Sequence, residues 1–342
     1  MKYLLLILLL FIVGCSTPSE PVDGEILSTL NSPWGMSFVG SDLLITQKSG
    51  ELLYYDFNEA FEISGIPDVV SSGQGGLLDV EYHEGHVYLT YSASGNGGIA
   101  THLGRGILNL DEFRLDNFEV LLVVEPFLSG GAHFGSRVLI QDDFLYMTTG
   151  DRGSKDFSEN HPSQNISNYI GAVLRLHTNG SYVSDNPFSN AIYTYGHRNV
   201  QGIAYFNGSI YISEHGEQDG DAIHLLEMGG NYGWPIAHYG CTYGLGRKIG
   251  DFPHQRDDVV NPIHYWECGS GGYPPAGMDF YNGNLFLGNL RGSYLGEFAF
   301  ENGSLVEINR YIQGERIRDV LAFEKGVYAL TDSGKLVRVV LD

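Results

Sequence analysis

The stretch GIAYFNGSIYIS, residues 202–213, decides how the rest of the chain is read. Two short runs of apolar and aromatic residues, 202–206 and 209–213, flank Asn207-Gly208, the dipeptide best suited to a tight two-residue hairpin turn. The same unit recurs as WGMSFVGSDLLIT (34–46), GLLDVEYHEGHVYLT (76–90), SRVLIQDDFLYMT (136–148), GMDFYNGNLFLG (277–288) and RDVLAFEKGVYALT (318–331). Each copy is an apolar strand, a short turn and a second strand ending aromatic-aliphatic-Thr or in a close variant. Six copies with no amphipathic helix between them predict an all-β, six-bladed β-propeller; a β-sandwich is the competing architecture. Ring closure must join the chain ends, so residues 25–30 are expected to pair near 335–341. The widest gap separates the fourth and fifth copies, and residues 229–275 are expected to form a long loop insertion between blades four and five.

Outward from the repeats, the N-terminus is of another kind. Residues 1–14 are one lysine and an almost unbroken apolar run, which reads as a secretory signal. Small residues directly before Cys15 look like the lipobox of bacterial lipoproteins. They predict cleavage before Cys15, lipidation of Cys15, a polar tether over 15–24 and a propeller domain over 25–342. The protein is then exported, held at the cell surface or the periplasmic face of a membrane only through its lipid. An ordinary signal with an incidental cysteine is the alternative. With 41 acidic against 19 basic residues the net charge is -22, which excludes nucleic-acid binding through a basic surface. Cys241 and Cys268 could pair in an oxidising compartment or stay free. Of four Asn-x-Ser sequences, Asn179, Asn207 and Asn302 are Asn-Gly-Ser turns and Asn165 begins Asn-Ile-Ser. Turn chemistry accounts for this pattern better than glycosylation.

In a propeller the first strand of each blade lines the central channel, so the residues just before it ring one mouth. Those positions hold Trp34, Gln74, His133, Arg198 with Asn199, Pro274-Pro275, and Arg316 with Arg318. Loops after the second strands add Asp151-Arg152, Arg291 and an acidic run with Glu214, Glu217, Asp219 and Asp221. An acidic protein that collects arginine at one pore mouth is suited to an anion with several carboxylates, which the planar guanidinium grips in pairs. The acidic run beside it offers hard oxygen ligands for a divalent metal. Structural readings compete at each position. Arg198 could cap a turn or pair with Asp221, and Arg316 and Arg318 could pair with Glu315 and Asp319. Asp79 could join neighbouring blades. Both Arg316 and Arg318 can face the mouth only if Ile317 is tucked inward.

Eleven segments in order carry a family resemblance: PWGMSF, GQGGLLDV, HFGSR, TTGDRG, IGAVLRLHTNGS, YGHRNVQG, SEHGEQDGDAI, GGNYGWP, PPAGMDFY, GNLRG and RIRDV. Together they make nearly all of the mature chain resemble the soluble quinoprotein sugar dehydrogenases, PQQ-dependent glucose and aldose enzymes. The resemblance implies oxidation of an aldose at its C1 hydroxyl to a lactone, with PQQ and calcium as cofactors and an external electron acceptor. It implies that His133 is the general base, that Gln74 holds His133 and the sugar, and that Arg198 and Asn199 lie against PQQ. Arg291, Arg316 and Arg318 are implied to hold the cofactor's carboxylates. Carbonyls of Gly216 and Glu217 are implied to bind one calcium, and Asp221 with carbonyls of Ala222 and Tyr232 a second. The chain departs from the glucose enzymes at Ala132, where they place an aspartate, and at Glu217 and Ala222. Trp266 and Tyr273 are weak candidates for the substrate aromatic.

Two other functions compete with a sugar oxidoreductase. A non-catalytic propeller lipoprotein binding a glycan or a protein would not require His133, Gln74, Arg198, Arg316 and Arg318 together. A calcium-dependent lactonase would need carboxylates and asparagines converging on the axis, where this chain offers arginine.

Overall fold

Six four-stranded antiparallel sheets surround one axis, and each begins with one of the predicted hairpins. The computed structural model describes residues 24–324 and 326–341. The expected signal, Cys15 and the tether as far as residue 23 lie outside the described residues. The innermost strands of blades one to six are Pro33–Val39, Leu77–His83, Gly135–Gln141, Val200–Phe206, Pro275–Tyr281 and Ile317–Phe323. They stand side by side around the axis, the sixth closing against the first. The ring is fastened as expected: Gly24–Thr29 pairs antiparallel with Lys335–Val339 and forms the outermost strand of blade six.

Faces of adjacent blades supply the core. Leu44, Leu52 and Ile63 of blade one, for example, bury against Val80, Val87 and Leu89 of blade two. Full burial of such a side chain stabilises by about 1.5–3 kcal/mol. The Thr that ends the repeat has a structural task. The Thr90 hydroxyl accepts from Asp79 N at 2.9 Å on its own blade and donates to Ser136 O at 2.7 Å on the next. Thr46 links to Leu78 O, Thr148 to Val200 O and Ser213 to Ala276 O in the same way. All six innermost strands break register in a bulge near this end, between Leu77 and Val80 in blade two and at the matching place in each other blade. A bulge bends the strand end and re-aims its side chains, so one mouth receives loops displaced from the regular pleat.

Asp79 joins blades, as expected. Its carboxylate accepts from Val138 N at 2.7 Å and pairs with Arg137 at 3.1 Å. Arg137 also pairs with Asp319 at 2.7 Å, lies over the Trp34 ring at 4.2 Å and is 4% exposed. This guanidinium plugs the axis and divides the channel in two.

The insertion differs from expectation. It opens before blade four is complete: strand Ala222–Leu225 is followed by the excursion, and the outermost strand, His264–Tyr265, comes after it. The insertion has its own two-stranded sheet, Ala237–Cys241 with Lys248–Gly250, and a Cys241–Cys268 disulfide fastens it. A two-stranded sheet buries little by itself, and the covalent link adds to the burial of Trp234, Tyr239 and Ile249 in this segment.

Candidate active site

Above the Arg137 plug lies a cavity of about 510 Å³. Its wall includes Trp34, Gln74, Asn199, Pro274, Arg291, Arg316 and Arg318, so predicted residues of five blades meet directly on one surface, while blade three's His133 and blade four's Arg198 do not line it. Blade three supplies Phe134 and Gly135 to that wall. Lys48, Gln201, His215 and Asp332 also line it and were not singled out by sequence.

His133 sits at the edge of this cavity in a left-handed backbone conformation, φ 49°, uncommon for a residue with a side chain. Its main-chain N–H donates to Gln74 Oε1 at 2.7 Å. Its Nδ1 lies 2.6 Å from Asp151 Oδ1, and Asp151 also accepts from Gly153 N at 2.7 Å and Trp234 Nε1 at 2.8 Å. Burial pushes the Asp151 carboxyl up, but the hydrogen bond and charge of His133 outweigh it and hold the group below its usual value. A carboxylate at Nδ1 fixes the proton there and leaves the lone pair on Nε2. Sequence placed Asp151 at the mouth without seeing this partnership. Arg152 does not join the mouth: it binds carbonyls of Ala132, Ile99 and Gly130 and lies over the Phe134 ring, supporting the His133 loop from beneath.

Ile317 is fully buried, which lets Arg316 and Arg318 face the cavity together. Neither pairs with the expected Glu315 or Asp319. Both grip Asp332, Arg316 Nε at 2.8 Å and Arg318 Nε at 2.9 Å, while Glu315 pairs with Lys335. Burial lifts the Asp332 carboxyl, yet Arg318 and Arg316 together keep it below the ordinary range. Lys48, Arg291, Arg316 and Arg318 thus face a single carboxylate, and the cavity is cationic inside an acidic protein.

Arg198 pairs with Glu217 at 2.6 Å, not with Asp221, and Lys155 meets the other Glu217 oxygen at 2.6 Å. Arg198 Nε is buried with no hydrogen-bond partner among the described residues. Asn199 Oδ1 accepts from Gly135 N at 3.2 Å, and Asn199 O accepts from His215 N at 3.1 Å. His215 was missed because it sits inside the acidic run with no pattern of its own. Burial drives its imidazole down to about 3, with Arg198, His133 and Arg318 adding to the effect, so it is neutral. Its Nε2 lies 2.5 Å from Pro275 O.

The expected metal ligands separate into two groups. Glu214 belongs to a strand, holding His197 Nδ1 at 2.9 Å and Arg198 N. The loop after it folds tightly: a Cβ on Gly216 would lie 1.9 Å from Asp219 O. That closeness leaves no room for a side chain at Gly216, while the donors implied at Gly216 and Glu217 are main-chain carbonyls, oxygen ligands of the kind a hard cation takes. Ala222 and Tyr232 line one small cavity, but Asp221 does not. Its carboxylate accepts from Gly216 N at 3.0 Å and Tyr273 N at 2.8 Å. Burial pushes the Asp221 carboxyl up to about 6. Among the described residues, no three His, Cys, Asp or Glu side chains converge as a metal cage.

Tyr273 is core, 2% exposed, its hydroxyl donating to Leu287 O at 2.8 Å with Trp266 stacked on it. Neither reaches the axial cavity. Tyr243 on the insertion is 64% exposed and does not line the cavity either.

An all-β six-bladed propeller with an imidazole–carboxylate pair beside a cationic axial cavity has the layout of a cofactor-binding enzyme. The Glucose / Sorbosone dehydrogenase family model matches residues 30–338, and the chain belongs to that family. It is 33% identical over 355 residues to aldose sugar dehydrogenase YliI of Escherichia coli, covering 93% of this chain and 92% of the relative. It is 32% identical to quinoprotein glucose dehydrogenase B of Acinetobacter calcoaceticus over 263 residues, 65% of this chain and 54% of that one. The crystal structure of the soluble E. coli aldose sugar dehydrogenase in its apo-form superposes with a TM-score of 0.84 at 30% identity, covering 93% and 98% of the two chains.

Proposed function

We propose that this protein oxidises an aldose at its C1 hydroxyl, using PQQ and calcium, with His133 as the general base. The observation that carries the reading is His133 held by buried Asp151 at the edge of a cavity that gathers Lys48, Arg291, Arg316 and Arg318 in a protein of net charge -22. When bound, PQQ supplies the acceptor for the C1 hydride, and calcium polarises the carbonyl that receives it.

The residues fit such a group. Arg291, Arg316, Arg318 and Lys48 supply fork and point charges for several carboxylates. The unpartnered Arg198 Nε is a buried donor of the kind that completes its hydrogen bonds on a ligand. Carbonyls at Gly216 and Glu217 suit calcium, and Asp221 with Ala222 and Tyr232 is the second proposed site. His133 Nε2 takes the hydroxyl proton, and Asp151 stabilises the imidazolium that forms. Gln74 fixes the His133 main chain and presents its amide to the cavity. An external acceptor then removes the electrons. The lipid on Cys15 and the exported location belong to the same proposal and rest on the leader sequence.

Purified protein mixed with PQQ and calcium should reduce an artificial electron acceptor when aldoses are added. His133→Ala should lose at least about a hundredfold in turnover, the usual contribution of a positioned base, while cofactor uptake is nearly unchanged. Tight PQQ uptake with no turnover on a broad sugar panel would replace this reading with a binding module.

A further inference from the structure

We infer that His161, a second histidine aimed at Asp151, is a positioning residue that sets how strongly Asp151 supports His133. The inference rests on the reading of His133 as the base. His161 is fully buried, and its Nε2 has no hydrogen-bond partner among the described residues. That atom lies 3.6 Å from Asp151 Oδ2, on the side of the carboxylate away from His133. A buried donor left unpaired is costly, so its presence calls for an explanation.

The tautomer follows from the other ring nitrogen. Ser163 N donates to His161 Nδ1 at 3.1 Å, so Nδ1 carries the lone pair and Nε2 carries the proton. Burial holds this imidazole below its usual range against the pull of Asp151 and Asp156, with Arg198 adding to the depression. His161 is therefore a neutral N–H donor. It cannot act as a relay that accepts a proton from Asp151, because Nε2 is already occupied.

A carboxylate has about four lone-pair positions. Asp151 fills three with His133 Nδ1, Gly153 N and Trp234 Nε1, and His161 faces the fourth. Trp234 also meets the His161 ring edge-on, 6.0 Å between centroids, which keeps the imidazole aimed. The other groups that bear on this cluster are Arg198 near Asp151, Asp156 and the Ser154 main chain near His161, and His215 across from His133. An N–H dipole on Asp151 competes for the negative charge that stabilises protonated His133. Removing it leaves more charge for His133, favours the imidazolium and moves the neutral, working form of the base to higher pH.

The test compares the reconstituted parent, His161→Phe and His161→Gln across the pH–rate profile of kcat/KM. His161→Phe should move the acid limb up by less than about one pH unit, because an N–H dipole 3.6 Å away acts on the carboxylate more weakly than a full hydrogen bond. His161→Gln, which keeps an N–H, should restore most of the parent profile. Nitrogen chemical shifts of His161 in the cofactor-free parent give a readout that needs neither a variant nor turnover. A proton on Nε2 across the neutral range is expected, and one on Nδ1 overturns the inference even if the variants do not fold. An acid limb that stays in place in His161→Phe also overturns it. If His133→Ala keeps full turnover, the base reading fails instead, whatever His161 does.

Discussion

At Asp221 a single buried carboxyl ties protonation to folding. With burial lifting it to about 6, the metal-free group favours the folded state most below the ordinary aspartate range, and that contribution is lost as pH rises towards about 6. The proposed calcium would reverse the preference, since only the ionised carboxylate is a ligand. Calorimetric titration of the cofactor-free protein should therefore show calcium binding that weakens as pH falls through about 6, and Asp221→Asn should flatten the dependence. Equal affinity on both sides of that value would remove Asp221 from the ligand set. Residue roles were legible in sequence where a fixed position in the repeat determines them. Arg316 and Arg318 were placed by their offset from an inner strand and by the apolar Ile317 between them. Asp151, Asp332 and His215 were opaque. Each draws its role from partners brought up by another blade or another turn of the chain, which no local pattern encodes.

The hairpin repeat carried the architecture because its period and its terminal Thr are both local features. What it could not disclose was the use of that Thr as a pin into the next blade. Nor could it show that the insertion interrupts blade four, since a two-residue outer strand such as His264–Tyr265 leaves no periodic trace. The close fit of blades has a direct cost at Gly277. An added Cβ would lie 2.1 Å from Asp319 Oδ1 and 2.8 Å from Asp319 Cα. Gly277→Ala must push blades five and six apart or displace the carboxylate that holds Met36 N and Arg137. Denaturant unfolding should show a loss of about 1–3 kcal/mol, the usual penalty of overpacking. A variant as stable as the parent would mean the ring tolerates more slack than these distances allow.

Across the whole molecule, charge is segregated. A strongly acidic exterior surrounds a cationic well, and the Arg137–Asp79–Asp319 plug closes the well's floor. Such a well draws in anions while the remaining surface repels them. Fatty-acid labelling of the parent in its host should mark the protein, and Cys15→Ser should lose the label and release it from membranes with turnover intact. Labelling that survives Cys15→Ser would discard the anchor. The lipid reading was available only from sequence, because it concerns residues outside the described propeller.

The clasp at Gly24–Thr29 puts the start of the propeller on its rim, at the outermost strand of blade six. Residue 24 therefore begins at the side of the ring, away from both openings of the axis. Were the proposed lipid anchor to pull from that point, large redox partners would keep an unobstructed approach to the well, and shortening the segment before residue 24 should slow neither their docking nor the entry of sugar.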